Sequence, residues 1–131
     1  MTTTPTAAPA NYKEAAIAFL TQVTSGKIRE AYRTYVGPEF RHHNPYFRGD
    51  GQSLMIGMEE NHVKFPDKIL AVQRTLQDGN FVAVHSNVKL MPGDINMAVV
   101  HIFRFEGNLI AELWDIGQPV PENCANEQGM F

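Results

Sequence analysis

Apolar residues in the first half of the chain recur with the 3.6-residue period of an α-helix. Three such runs, at residues 12–23, 27–35 and 51–63, are each followed by a segment that contains Gly or Pro. Residues 40–46 are predicted to be extended, because Pro45 disfavours helical backbone at Asn44. The first half therefore predicts three helices and one extended segment.

The second half alternates apolar and polar residues with the two-residue period of a β-strand. Strands are predicted at residues 68–77, 81–90, 95–105 and 109–115, separated by turn-forming segments rich in Gly, Asn and Asp. Three helices followed by a four-stranded antiparallel meander predict an α+β fold, in which the helices cover one face of a curved sheet.

Two ionisable residues interrupt apolar strand faces. Alternate residues of one predicted strand are Ile95, Met97, Val99, His101, Phe103 and Phe105, and those of the next are Leu109, Ala111, Leu113 and Asp115. Burying an ionisable group on such a face is costly unless the group is paired, and a cleft is the usual place where that cost serves a function. His101 and Asp115 are therefore the leading candidates for a functional site.

The hairpin between these two strands decides whether the candidates meet. Residues 106–108, Glu-Gly-Asn, are a hairpin signal, but a strict two-residue loop would oppose Phe103 to Glu112. A register slipped by one residue, through a three-residue or bulged loop, opposes apolar residues to one another. The slipped register places His101 and Asp115 on one face, within roughly 5 to 8 Å at Cβ. At that spacing the two groups can hydrogen-bond directly or across a bound molecule.

The preceding hairpin places two other candidates on the opposite face. A four-residue loop at residues 91–94 pairs Val84 with His101, and this register turns His85 away from the predicted pocket. Trp114 also alternates away from the pocket and is predicted to pack on the outer sheet face or at a subunit contact.

Composition narrows the class of protein. The 131 residues predict one domain, residues 11–131, after a Thr-, Ala- and Pro-rich leader at residues 1–10 that is expected to be disordered and not a signal peptide. The net charge of −3 is spread along the chain, so nucleic acids and anionic membrane surfaces are poor candidate partners. No apolar run reaches the length of a membrane span. The one cysteine, Cys124, predicts no internal disulfide and fits a reducing cytoplasm.

Several segments of the sequence resemble one known family. They are His43-Asn44-Pro45, residues 82–86, residues 102–108, residues 112–121 and the terminal Gly129-Met130-Phe131. With the order of elements, they make the chain from about residue 15 onward similar to the nuclear transport factor 2-like cone, in which a curved sheet wraps helices around a blind pocket. The resemblance is to the SnoaL-like branch, which includes polyketide cyclases and predicted aldol-condensation enzymes. Members of this branch usually carry Asp where this chain has His101, and often His where it has Leu113.

The resemblance implies cofactor-free acid–base chemistry, an aldol condensation or an isomerisation, on a small apolar carbonyl compound. In the resembling cyclases an Asp on a late strand removes an acidic proton beside a carbonyl, which implies a general-base role for Asp115. A carboxylate in an apolar pocket suits that role, because desolvation makes it a stronger base. His101 or His43 would stabilise the enolate oxygen or return the proton. The alternative for Asp115 is a structural role, with its carboxylate hydrogen-bonded to the backbone of the tail. The alternative for His101 is that it is a core histidine whose hydrogen bonds are satisfied within the protein.

Further residues are expected to contact the substrate. Asn44 could donate a hydrogen bond to a carbonyl or only cap a turn. The apolar candidates on the predicted pocket face are Val84, Val99, Phe103 and Leu113.

Other functions stay open at this point. No metal and no cofactor are expected, because the sequence carries no metal-binding spacing, no Gly-rich phosphate loop and no nucleophile elbow. The remaining metal alternative is a two-histidine, one-carboxylate set of His43, His101 and Asp115. A non-catalytic ligand-binding or dimerisation domain, and a hydratase or epoxide hydrolase with a carboxylate-positioned water, are the competing functions. The apolar outer face around Trp114 and Ile116, together with the resemblance, predicts a homodimer formed through the sheet.

Overall fold

Two of the three helices begin with a side chain that caps their N-terminus. The structure is a computed structural model that describes residues 11–93 and 96–131. The Asn11 side chain accepts a hydrogen bond from the Glu14 amide, and the Asp50 side chain accepts one from the Ser53 amide. The helices of this part of the chain are α1 (Tyr12–Thr24), α2 (Ile28–Tyr35) and α3 (Gly51–Lys64). All three lie within a residue of the predicted bounds. The leader expected at residues 1–10 lies outside the described residues.

The sheet contains one strand more than the predicted four. The strands within the described residues are β1 (Val36–His42), β2 (Ile69–Asp78), β3 (Phe81–Lys89), β4 (Asn96–Glu106) and β5 (Leu109–Pro119), in the spatial order β1-β5-β4-β3-β2. Strands β2 to β5 form the expected antiparallel meander, and β1 pairs parallel to β5 at the edge. An edge strand tolerates Pro38, which has no amide hydrogen to donate to a partner strand. The α+β class is confirmed, and the sheet is mixed rather than purely antiparallel.

The slipped register between β4 and β5 is confirmed, but the slip occurs inside the hairpin rather than in its loop. Phe105 faces Ile110, a bulge follows, and Phe103 then faces Leu113. Ile110 and Ala111 are both buried at the bulge, whereas Leu109 is 37% exposed and does not lie on the predicted pocket face. One extra residue in β5 reverses which side chains point inward, so the alternation predicted for the whole strand holds only beyond the bulge.

Helices α1 and α2 fill part of the concave face of the sheet. Phe19 of α1 contacts Phe103 edge-to-face, with ring centroids 6.0 Å apart. Val84, Phe103 and Leu113 are at most 1% exposed and belong to the hydrophobic core. These three residues, predicted to contact substrate, are therefore packed within the core, where the Phe19 ring of α1 lies against Phe103.

The C-terminal tail packs on the outer face of its own sheet. The Phe131 ring stacks on His85, with centroids 5.8 Å apart and planes 22° apart. The pairing of Val84 with His101 confirms that His85 points away from the concave face. The tail thus contacts its own chain, but on the side opposite the predicted pocket.

Removing residues 129–131 is expected to lower the melting temperature by about 2–6 °C, because an aromatic pair and its buried area contribute on the order of 1 kcal/mol. Thermal unfolding followed by circular dichroism measures the effect. His85→Ala should cause a loss of similar size, and the two changes together should cost less than their sum. A truncated chain that melts with the parent would show that the Phe131 contact contributes nothing.

Candidate functional site

The two leading candidate residues face one another across the central strands. His101 of β4 lies directly opposite Asp115 of β5, as the slipped register predicts. His101 Nε2 is 3.6 Å from Asp115 Oδ1, which is ion-pair range but too long for an ordinary hydrogen bond. Their side chains are 14% and 27% exposed, so the pair is largely withdrawn from solvent.

Asn44 holds the other oxygen of the carboxylate. Its Nδ2 donates to Asp115 Oδ2 at 2.9 Å, while its Oδ1 accepts from the Tyr46 amide at 3.0 Å. Turn capping and donation were alternative roles for Asn44, and its side chain does both, although the acceptor is a carboxylate rather than a substrate. Asp115 therefore has one oxygen committed to Asn44 and the other beside His101.

His42 fixes the loop that carries Asn44. Its Nδ1 accepts from the Asn44 amide at 3.0 Å, and its Nε2 lies 2.5 Å from the Arg48 carbonyl oxygen. An imidazole that accepts at Nδ1 and donates from Nε2 is a neutral tautomer. At 4% exposure, His42 is buried and its role is structural.

The structure turns the His43 ring toward the outer face of the sheet, although His43 also lines a cavity that Asp115 lines. Its ring stacks on Trp114, with centroids 5.0 Å apart, and its Nε2 contacts Glu112 Oε2 at 2.6 Å. The catalytic role of His43 stays a prediction, but its side chain bonds to Glu112 and stacks on Trp114 rather than contacting His101 or Asp115. The reason is strand alternation: β1 ends with His42 pointing inward, so the next residue points outward.

Glu112 organises this outer-face cluster. Its carboxylate also accepts hydrogen bonds from Arg41 and Arg104. Burial alone would raise the pKa of Glu112, but the hydrogen bonds from His43, Arg41 and Arg104 outweigh it and lower the pKa to about 2. The cluster ties β1, β4 and β5 together, and its Arg104 also pairs with Glu106.

Two cavities meet at the Asn44–Asp115 hydrogen bond, which lies in the wall of both. The inner cavity, about 220 Å³, lies between α3 and the sheet. The outer cavity, about 600 Å³, opens at the end of the sheet. The side chains lining the inner cavity besides Asn44 and Asp115 are Phe47, Leu54, Met58 and Asn61. Those lining the outer cavity include His43, Tyr46, Met97, Val99 and Ile116. Of the predicted substrate contacts, Asn44 and Val99 line a cavity.

Sequence reasoning missed the contribution of α3. Gly57 lies under the Phe47 ring, where a Cβ atom would come within 2.3 Å of the ring, so only glycine lets this ring close against the helix. Gly57 and Asn61 lie four residues apart and so share one helix face. The sequence did contain a signal for this part of the site, namely a glycine and an asparagine on one face of a predicted helix.

The surroundings of His101 favour its neutral form. Burial lowers the pKa of His101, and the charge of Asp115 opposes that shift. The Nδ1 atom of His101 is buried without a hydrogen-bond partner among the described residues, and so is Ser86 Oγ on the next strand. A protonated ring would need an acceptor at Nδ1, which this environment does not supply.

The described residues contain no group of three or more His, Cys, Asp or Glu side chains placed to hold a metal ion. His43, His101 and Asp115 do not assemble into the two-histidine, one-carboxylate set.

The comparisons with known proteins agree with this architecture. The profile of the SnoaL-like domain matches residues 5–113. The chain belongs to the SnoaL-like domain family. Among curated proteins, no sequence relative is detected.

Solved structures similar to this SnoaL-like domain share its fold at low identity. A candidate polyketide cyclase from Acidithiobacillus ferrooxidans is 22% identical with a TM-score of 0.70, over 86% of this chain and 92% of that one. IdmH, a candidate polyketide cyclase from Streptomyces antibioticus, is 19% identical with a TM-score of 0.67, over 82% and 92%. AclR, a candidate hydroxylase from Streptomyces galilaeus, is 19% identical with a TM-score of 0.63, over 82% and 81%.

A nuclear transport factor 2-like protein of unknown function from Cytophaga hutchinsonii is 17% identical to the SnoaL-like domain described here, with a TM-score of 0.67, over 86% and 95% of the two chains. These likenesses establish the nuclear transport factor 2-like fold. In the described part of the domain, no helix is both long and apolar enough to cross a membrane.

Proposed function

We propose that this SnoaL-like domain is a cofactor-free acid–base enzyme that acts on a small carbonyl compound, by aldol condensation or isomerisation. One observation carries the proposal: the Asp115 carboxylate lies at the junction of two cavities with only one of its oxygens hydrogen-bonded. A carboxylate held in place and partly desolvated, next to space for a ligand, has what a general base requires.

The proton transfer can be assigned to individual atoms. Asn44 donates to Oδ2, so Oδ1 is the oxygen left to accept a proton from the carbon beside a carbonyl. The C–H bond breaks, an O–H bond forms on Asp115, and the electron pair moves onto the carbonyl oxygen to give an enolate. In an aldol condensation the enolate carbon attacks a second carbonyl, whereas in an isomerisation the proton returns to a different carbon.

Neutral His101 assists at Oδ1. Its Nε2 is 3.6 Å from that oxygen, close enough for an Nε2 hydrogen to bond to the carboxylate and orient it after a small movement. This tautomer fits the surroundings, because the buried Nδ1 has no acceptor for a hydrogen among the described residues.

The cavity walls support a small, largely apolar substrate. Phe47, Leu54 and Met58 supply apolar surface in the inner cavity. The direct test is hydrogen–deuterium exchange at the α-carbon of ketones and β-keto esters in D₂O, followed by nuclear magnetic resonance. Acceleration of exchange above the buffer rate is the expected result, and a panel with no accelerated compound would count against the enzyme.

The second candidate function is a non-catalytic ligand-binding domain. The Asn44–Asp115 hydrogen bond favours it, because the same bond also tethers the Asn44 turn to β5 and would be useful for structure alone. Replacement of Asp115 separates the two candidates, as argued in the Discussion.

We also propose that two copies pair through the outer sheet face. Ile116 is 58% exposed there, and Val100, Ile102 and Trp114 are partly exposed beside it. Light scattering should give about twice the 14.7 kDa chain mass at micromolar concentration, and Ile116→Lys should shift it to the monomer value. A parent protein that scatters as a monomer would refute the pairing. A cytoplasmic location stays a prediction based on the single cysteine.

A further inference from the structure

A half-buried lysine lies behind the wall of the inner cavity. Asn61 of α3 lines this cavity together with Asp115. Lys68, just before β2, donates a hydrogen bond from its Nζ to Asn61 Oδ1. The proposed mechanism uses neither residue.

The lysine determines which way the Asn61 amide points. An ammonium group can only donate, so the amide oxygen faces Lys68 and the Nδ2 hydrogens are directed elsewhere. Within the described structure, Asn61 Oδ1 is the atom that bonds to Lys68, and Asn61 Nδ2 donates to no side chain. Nor is Nδ2 one of the fully buried polar atoms that lack a partner. The Asn44 amide is already committed to Asp115. Asn61 therefore brings an uncommitted side-chain donor to the wall that also carries the proposed base.

Lys68 also lacks a counterion in the described structure. None of the ion pairs found there includes it. Burial lowers the pKa of Lys68, because a desolvated ammonium is less stable than a hydrated one. A negative charge bound on the far side of Asn61 would compensate this cost.

We propose that Asn61, polarised by Lys68, binds the negatively charged oxygen of the ligand in the inner cavity. The substrates would then be carbonyl compounds that ionise to enolates, with the acidic carbon beside Asp115 and the carbonyl oxygen at Asn61 Nδ2. As Asp115 takes the carbon-bound proton, the electron pair collects on the oxygen that Asn61 holds. No proton leaves Lys68, so Lys68 is a positioning residue. The substrate assignment rests on the proposed function, whereas the binding of an oxyanion does not.

Binding of 4-nitrophenol tests the proposal without turnover, because its phenolate carries an enolate-like oxyanion and absorbs visible light. The protein should bind the phenolate in preference to the phenol, which absorbance titration at several pH values measures. Lys68→Met and Asn61→Leu should each weaken phenolate binding about tenfold or more, the scale of a hydrogen bond to a charged group. Lys68→Arg should restore most of it, and Lys64→Met, which removes an exposed lysine at the end of α3, should change nothing.

Two results would overturn the proposal: equal phenolate affinity in the parent and Lys68→Met, or no preference for the phenolate in the parent, including no binding at all. Circular dichroism checks that each variant is folded, and Asn61→Leu provides the second test if Lys68→Met is not. Asp115→Asn should strengthen phenolate binding, because it removes a nearby like charge. If Asp115→Asn keeps its exchange activity while Lys68→Met no longer binds phenolate, the acid–base function is rejected and the oxyanion site is supported. If Asp115→Asn loses exchange activity while Lys68→Met binds phenolate as the parent does, only the oxyanion site is rejected.

Discussion

Asp115→Asn is expected to slow α-proton exchange by about two to four orders of magnitude, the usual contribution of a general base. Asparagine keeps the shape of the side chain, and its amide oxygen can still accept the hydrogen bond from Asn44. What it loses is the capacity to accept a proton at the position of Oδ1. Affinity for a neutral ligand should change far less than the rate, because a neutral ground state gains little from the charge.

The pH dependence of the exchange rate provides an independent check. A working base gives a rate that rises as it ionises, and this rising limb should disappear in Asp115→Asn. Asp67→Asn, at an exposed position between α3 and β2, is the matched control and should leave both the rate and the pH profile unchanged. If Asp115 is structural, the Asn variant should melt at a lower temperature while its exchange rate stays within a few-fold of the parent.

The central hairpin shows how far the sequence alone predicts the site. The positions of His101 and Asp115 on one face follow from matching apolar residues across two strands. That information is local, since only a short turn separates the strands. The exact place of the slip was not predictable, because a bulge at Ala111 and a longer loop produce the same pairing further along.

Contacts between distant segments account for what the sequence did not predict. Strand β1 pairs with β5 across some 70 residues, and nothing in residues 36–42 indicates a parallel partner. Residues 40–46 were predicted to be extended, but without a known partner strand the sequence did not show that His42 points inward and His43 outward. Asn61 and Lys68 escaped notice for a similar reason: a helix residue and a loop residue become part of a site only through the packing of α3 on the sheet.

The identity of residue 101 has a physical consequence for Asp115. An aspartate there would place two carboxylates opposite one another, which would favour protonation of one of them. Histidine instead gives Asp115 a neighbour whose protonation depends on pH. The same histidine makes the stability of the fold depend on pH.

Acidification is expected to destabilise the protein through His101, and His101→Gln should remove this effect. Burial lowers the pKa of His101 below its ordinary value of 6.5, although Asp115 opposes the shift. The unfolded chain therefore binds a proton at a pH where the native state does not. Over that interval the free energy of unfolding decreases as the pH falls, by at most about 1.4 kcal/mol per pH unit for a single proton.

Urea unfolding of the parent and His101→Gln, across a pH series from about 8 down to about 5, measures the difference. The two stabilities should differ by a constant amount above the ordinary histidine pKa, and the difference should shift in favour of the Gln variant as the pH falls below it. His85→Gln, on the outer face, should keep the parental dependence. Parallel curves for the parent and His101→Gln would mean that His101 takes up a proton as readily in the native state as in the unfolded chain. Such a histidine would already be charged in mild acid, and it could not then serve as the neutral neighbour that orients the Asp115 carboxylate.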